Sequence, residues 1–401
     1  MKIKYFTTLL YIAVLTSATS CKEDDSNKNE TPIEKENTNQ LENTKENVKN
    51  KTNPKNENIS SKSASEFVNH FKDEESPALN PSVLINACIG GNGDQYFNEV
   101  SFSENNKIVA KGKGFSVTYD ISDLNGSIEG DINTSQPSKE YKYRPSLPGN
   151  PGKLYQDKRI NLEFRVGYRQ ASHLQMPIFR AFQGEERLWT LWGHPSESVK
   201  NKKLGADTRC YQAWAMPQGR IGVQCWTDGG NSVLAKDPRS LDSAGHKPSF
   251  TEGAFQTSPG GSASLYALIN PADGGSVESG TFMASHVSPV IADDYGRVYI
   301  AQIGKSREKN VVPDNPFSQS ENASSGITIL DESMQKVIFN SRIGGDCSNS
   351  KEQNFSSIAV KDNILLLGGT TCDCSFAQKN SIDQNPGTGQ NAWLVAIKLW
   401  E

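Results

Sequence analysis

Histidine is scarce in this chain, with five residues in 401. His70, His173, His194, His246 and His286 never fall at metal-ligand spacing, and no His-Glu-x-x-His segment occurs, so a helix-borne zinc site is excluded. There is no Cys-x-x-Cys-His haem attachment and no phosphate-binding loop; Gly90-Gly-Asn-Gly93 leaves a strand pattern and opens no helix. An excess of positive charge is lacking too. The formal net charge is -4, which leaves no basic field to gather nucleic acid. Beyond the N-terminus no run approaches the roughly 18 consecutive apolar residues of a membrane-spanning helix. Apolar residues make up only 35% of the chain, and a polar N-terminal tract accounts for the shortfall.

What is present begins with a leader. Met1-Lys-Ile-Lys4 is basic, Tyr5 to Leu15 is apolar but too short to span a bilayer, and Thr16 to Ser20 are small. This is the build of a secretory signal peptide over residues 1–20. Small residues directly before Cys21 resemble the lipobox of bacterial lipoproteins, although Ala18 stands where Leu is usual. That resemblance implies acylation of Cys21 and anchoring to a membrane of the bacterial envelope, at the outer membrane or cell surface. The alternative is an ordinary cleavage near Ser20 with Cys21 incidental. Each buried CH₂ of an acyl chain contributes about 0.8 kcal/mol, so more than one chain makes the anchoring stable. Lys22-Glu-Asp-Asp25 resembles the surface-export signals of Bacteroidetes lipoproteins and reads equally as the start of a solvated linker.

Residues 21–62 are Asn, Lys, Glu, Thr and Ser with few apolar side chains, interrupted by Pro32 and Pro54. Such a segment cannot bury enough surface to offset its ordering entropy, and is expected to be a disordered tether reaching on the order of 35 Å. Residues 63–80 form a lead-in, in which Phe67, Val68 and Phe71 share one face of an expected short helix.

From residue 81 to 401 the pattern changes to short β-branched and aromatic runs bounded by Gly, Asn and Asp, a strand-and-turn signature. The last unit, Gly326 to Trp400, is the clearest. Ile343-Gly-Gly345 precedes strand Phe355 to Val360; the turn Lys361-Asp-Asn363 leads into Ile364-Leu-Leu-Leu-Gly-Gly369, and the chain closes on Asn391-Ala-Trp-Leu-Val-Ala-Ile-Lys-Leu399. A first unit, opening on Val83-Leu-Ile-Asn-Ala-Cys-Ile89, repeats the order. Ile89-Gly-Gly91 matches Ile343 to Gly345, Tyr96 to Phe102 matches Asn354 to Val360, and Lys107 to Ala110 matches Ile364 to Leu367. Hairpins at Cys210–Trp226, at Pro177–Trp192 and around Ala292 to Gly296, the last read as one unit with Ser264–Asn270 and Arg297–Gln302, make five copies of strand, polar turn, strand, whose second strands are placed at Lys107, Arg187, Arg220, Arg297 and Ile364.

Hairpin repeats with an added outer strand imply a radial or solenoidal all-β architecture. The run of Gly344-Gly345, Gly368-Gly-Thr-Thr371 and Asn391 to Leu399 resembles the bacterial β-propeller repeats called SBBP repeats, a seven-bladed type. The resemblance implies a β-propeller of five to seven blades over 81–401, with residues 121–160 and 238–262 as further blades or as loops.

Setting Cys21 aside leaves six cysteines in an exported chain, an even number that suits disulfides. Cys210 and Cys225 flank a turn almost symmetrically and are placed for a cross-strand bridge that contributes roughly 3 kcal/mol in the chain-entropy model. Cys347, Cys372 and Cys374 lie on the last unit. In a ring whose first and last blades are neighbours, Cys347 is expected to pair with Cys372 or Cys374, leaving the other for Cys88. Cys372-Asp-Cys374 lacks the two-residue spacer of redox and zinc pairs.

For ligand chemistry the most distinctive run is Trp226-Thr-Asp-Gly-Gly-Asn-Ser232. Trp226, Asp228 and Asn231 offer a stacking face and hydrogen bonds to a sugar, or oxygens to Ca²⁺, and read equally as a blade-closing loop. Asp94 and Asp293-Asp294 lie in turns as further calcium candidates, with solvated turn residues as the plainer reading; no other cofactor is indicated. Trp189, Trp192, Trp214 and Trp226 cluster in two hairpins as inter-blade core. The expected function is a membrane-anchored binding or scaffolding module without catalysis, with a protein or glycan partner. The alternatives are an envelope enzyme acting on polysaccharide, which needs two carboxylates about 5–9.5 Å apart in a funnel, and a display module with no pocket.

Overall fold

The computed structural model of this chain describes residues 71–132, 153–194, 199, 207–228, 254–302, 317, 325–347 and 353–401, with short gaps inside these spans. Residues 1–62, read above as signal peptide and tether and including Cys21, lie outside them. The described residues build twenty strands in five antiparallel four-stranded sheets. Strand β1 (Ser82–Ile89) comes first in the chain and does not pair with its sequence neighbours. Blade 1 is β2 (Phe97–Phe102), β3 (Lys107–Gly112), β4 (Phe115–Asp120) and β5 (Gly126–Gly130). Blade 2 is β6 (Lys153–Asp157), β7 (Leu162–Ala171), β8 (Leu174–Gln183) and β9 (Glu186–Trp192). Blade 3 is β10 (Thr208–Met216), β11 (Arg220–Thr227), β12 (Ala263–Asn270) and β13 (Ser276–Met283). Blade 4 is β14 (Val290–Ala292), β15 (Val298–Gln302), β16 (Ser325–Leu330) and β17 (Val337–Ile343). Blade 5 is β18 (Asn354–Lys361), β19 (Ile364–Thr371) and β20 (Asn391–Lys398). Its fourth strand is β1, hydrogen-bonded to β20 with Ala87 opposite Leu394 and Cys88 opposite Trp393. Among the described residues the fold is a β-propeller of five blades, one of which joins the first and last described strands in one sheet.

Polar turns set the hairpins. Asn106 and Asp362 take left-handed φ of 55° and 51° in the turns entering β3 and β19, a conformation Asn and Asp tolerate better than most residues. Successive side chains of a strand point to opposite faces, so each blade can pack against two neighbours. Blade 5 does so fully. Leu365 and Leu367 of β19, with Trp393, Val395 and Ile397 of β20, join Tyr299, Ala301, Ile327 and Ile329 of blade 4. The alternate residues Ile364, Leu366, Ala392, Leu394 and Ala396 join Phe97, Val100, Ile108 and Val117 of blade 1. Burial on both faces demands a continuous apolar run, which is why Ile364–Leu367 and Ala392–Ile397 show no polar alternation. Other clusters fill the seams between blades 2 and 3 and between blades 3 and 4. Blade 1 differs: β3 alternates buried Ile108 and Ala110 with exposed Lys107 and Lys111, so only one of its faces is covered. The side chains of β6 lie outside the described residues.

Glycine permits the closest seam. A Cβ on Gly368 would sit 2.4 Å from Val100 Cγ1, so β19 meets β2 of blade 1 only without a side chain there. Gly344, with φ of 113°, turns the chain from β17 toward blade 5.

All six described cysteines pair, as Cys88–Cys374, Cys210–Cys225 and Cys347–Cys372. The first bridges β1 to the segment after β19, across 286 positions of sequence.

Several sequence expectations change. Val83–Ile89, read as the opening of the first unit, completes the last blade. The hairpin Pro177–Trp192 is the outer pair of blade 2; its second strand is β7, whose Glu163, Arg165 and Arg169 hide the strand pattern. Ser264–Asn270 and Arg297–Gln302, read as one unit, belong to blades 3 and 4, separated by β13. The stretch 121–160 supplies β5 and β6 to two blades, and 238–262 falls within blade 3 between β11 and β12. Neither contributes a further sheet among the described residues. The helix expected on Phe67, Val68 and Phe71 lies mostly outside the described residues; those described between Phe71 and Asn80 have no regular secondary structure.

Removing the long-range bridge tests the closure. Cys88→Ser with Cys374→Ser is expected to cost about 4 kcal/mol in urea unfolding, with the amides of β1 exchanging before those of β19. A second test concerns Tyr119, fully buried with its hydroxyl donating to the Asn380 carbonyl at 2.9 Å. Burial pushes its pKa up to about 12 from 10.0. The phenol is neutral in both states below pH 10, so its full contribution is present there. Above pH 10 the unfolded chain releases a proton that the fold retains, and stability falls as pH rises toward 12, by up to about 3 kcal/mol. Tyr119→Phe is expected to flatten that part of the alkaline unfolding curve.

Candidate functional site

The propeller has two ends. The crossover end, where the chain passes between blades, carries all three disulfides and the Trp226–Asp228 run. The hairpin end carries the turns between β10 and β11, β14 and β15, and β16 and β17, together with the lead-in to β1.

At the crossover end, Trp226 lies opposite Arg209 on paired strands, and the Arg209 guanidinium stands 4.9 Å from its ring centre and 5.8 Å from that of Tyr168. Asp228 Oδ1 accepts the Asp207 N–H at 2.9 Å, and the Asp228 N–H donates to the Asp207 carbonyl at 3.3 Å. Asp207 accepts the Gln175 N–H at 2.8 Å and approaches Arg209 at 3.7 Å. One face of the indole and one carboxylate oxygen of Asp228 are therefore engaged inside the fold, closing blade 3 against β8. Asn231 lies outside the described residues. Among the tryptophans, Trp214 is buried in the seam of blades 3 and 4, and Trp192 packs edge-on against Phe179 while its Nε1 donates to Gly275 of blade 3 at 2.9 Å. Nothing is described of the Trp189 side chain.

The hairpin end is organised by Asp293, and here the sequence expectation of a solvated turn is overturned. Asp293 and Arg297 are each 3% exposed and form an ion pair at 2.7 Å. Asp293 Oδ1 accepts the N–H groups of Tyr295 and Arg297 at 3.0 and 2.9 Å, and Oδ2 accepts Arg297 Nε and the Tyr299 hydroxyl at 2.7 and 2.8 Å. Four donors hold one carboxylate because the turn returns the chain into β15 directly beneath it. Burial first, then the neighbouring Asp293 charge, push the Tyr299 phenol far above its ordinary value. Among the described residues no group of three acidic, histidine or cysteine side chains is placed to hold a metal ion. Asp94 accepts the Gln390 N–H at 3.0 Å.

Arg297 also reaches the lead-in. Its Nη1 donates to the Pro77 carbonyl at 2.9 Å, and its guanidinium lies 4.5 Å from the Trp400 ring and 5.2 Å from the Tyr295 ring. Its Nη2 is buried without a hydrogen-bond partner. The lead-in crosses the same turn: the Lys72 N–H donates to the Asp294 carbonyl at 2.9 Å, and the Lys72 ammonium lies over the Tyr295 ring at 4.9 Å and donates to its hydroxyl at 3.3 Å. That hydrogen bond is the first cause raising the Lys72 pKa. Phe71 is buried.

Between the lead-in and the turns lies a cavity of about 510 Å³, walled by Lys72, Glu75, Gln218, Arg297, Glu332 and Ile338 among others. A second, of about 270 Å³, adjoins it through Pro217, Gln218 and Glu332 and reaches the Arg220–Glu278 ion pair, 2.6 Å long, on blade 3. Of this site only the turn Asp293-Asp294 was singled out in the sequence, because none of its residues forms a motif.

No protein-family model matches the chain, and no curated protein matches it. Solved structures with a related chain path include the WD40 β-propeller domain of Doa1, at 11% identity over 79% of this chain and 97% of that one, with a TM-score of 0.28. Others are a Bacillus subtilis levansucrase, at 7% identity over 84% and 93% with a TM-score of 0.28, and Chaetomium thermophilum Sqt1 bound to the N-terminus of a ribosomal protein, at 9% over 76% and 84% with 0.23. At such identities and scores no function is transferred.

Replacing Asp293 by Asn would leave the Arg297 charge buried without its counter-ion. It is expected to cost about 3–5 kcal/mol in urea unfolding and to release the lead-in, read as proteolysis at Lys72.

Proposed function

We propose that this protein is a binding module of the bacterial envelope, held through a lipid on Cys21 and a tether over residues 21–62, with an SBBP-like propeller that docks a protein partner at its hairpin end. The observation that carries the binding reading is the open cavity of about 510 Å³, built by side chains from the lead-in and three turns. A display module needs no such cavity. The turns are fixed by buried hydrogen bonds at Asp293 and by the blades below them, so the site is held ready before a partner arrives, which lowers the ordering cost of binding. The polysaccharide-enzyme reading has less support there: Glu278, a carboxylate of the adjoining cavity, is already bound to Arg220 and to Asn270 Nδ2.

A photo-crosslinking residue at exposed Gln218, on the rim of both cavities, tests the docking in the native envelope. One dominant protein adduct is expected from Gln218 and none from exposed Glu129 on blade 1. Adducts of equal strength at both positions, or none at Gln218, would remove the reading. In parallel, Cys21→Ser is expected to move the chain from the membrane fraction to the soluble one; retention in the membrane would sink the lipid anchor.

A further inference from the structure

The walls of the larger cavity are unbalanced in charge. Its two cations are engaged, Lys72 with Tyr295 and Glu74 and Arg297 with Asp293, whereas Glu75 and Glu332 are exposed and make no ion pair or hydrogen bond among the described residues. Ile338, 43% exposed, borders the same space and is the one large apolar side chain so exposed among the described residues. Arg297, 3% exposed, contributes to the wall and keeps Nη2 without an acceptor.

The lead-in shows what this surface accepts. It lies across the turn as an irregular strip of chain, giving a carbonyl to Arg297 Nη1, a backbone hydrogen bond to Asp294 and a lysine to the face of Tyr295. We infer that the cavity takes a second strip of the same chemistry: an extended segment of a partner protein bearing lysine or arginine. Its cations face Glu75 and Glu332, and an apolar side chain covers Ile338. An anionic or purely apolar segment would leave both carboxylates desolvated without a counter-charge. This rests on the binding-module reading and adds the chemistry of the partner.

The test uses the full chain, purified in detergent with its disulfides intact, and a fluorescein-labelled heptapeptide alternating lysine and leucine, compared with one alternating glutamate and leucine. Anisotropy is expected to show the lysine peptide bound at least tenfold more tightly. The exposed double reversal Glu75→Lys with Glu332→Lys is expected to weaken it at least tenfold, and Ile338→Ser about threefold, while Glu129→Lys on blade 1 leaves it unchanged. Unaltered melting temperatures show that these surface variants still fold. Equal affinity for the two peptides, or equal loss in Glu129→Lys, would overturn the inference. A Gln218 adduct in the envelope with no preference for the lysine peptide would overturn the cationic partner and leave the binding module standing; absence of both would end both.

Discussion

Blade 5 must hide both of its faces, and it meets that demand with strands from opposite ends of the folded chain. Pairing of β1 with β20 supplies its outer strand. Without β1, the buried Trp393 would lose the acceptor for its Nε1, Asn86 Oδ1 at 2.9 Å, and Ile85, Ala87 and Ile89 would leave the seam with blade 1. The seams flanking blade 5 therefore both depend on one eight-residue strand. The Cys88–Cys374 bridge fixes that strand covalently, and Lys379 reinforces it through mutual backbone hydrogen bonds with Asn86. Closure of this kind also protects β20 from offering an unpaired edge to another chain.

Legibility in the sequence followed burial. Blade 5 is covered on both faces, so its strands are uninterrupted apolar runs and its repeat was plain. The Gly-Gly pairs at 90–91 and 344–345 were aligned correctly because each follows an outer strand and precedes an inner one, so the sequence repeat is offset from the blade by one strand. That same offset made Val83–Ile89 look like part of the first unit. Blade 2 was misphased because β7 carries charges at alternate positions, and the more apolar β8–β9 pair took its place. β13, Ser276–Met283, contains Gly280, Glu278 and two serines and passed for loop.

The hairpin-end site was illegible for another reason. Its parts come from residues 71–77, 217–218, 293–297 and 331–338, none of which is distinctive alone. Asp293 and Arg297 look like any charged turn in sequence. Only the arrival of Pro77, Trp400 and Tyr299 around them turns an exposed pair into a buried one. Trp226 shows the reverse: a residue conspicuous in sequence whose ring is partly covered by Arg209 from the facing strand.

The route by which the chain enters the propeller gives the fold a mechanical order. A pull from the N-terminal side first loads the contacts of Lys72 with Asp294 and Tyr295, next the Pro77 carbonyl on Arg297, then the Asn80 amide on the Leu399 carbonyl. Only after these give way does force reach the first pair of β1 with β20, Ser82 opposite Lys398. Peeling then runs along the strand and stops at Cys88, one residue short of its end, where the covalent bridge takes the load. The lead-in thus acts as a strain relief, and the bridge as the stop that keeps the ring from unravelling.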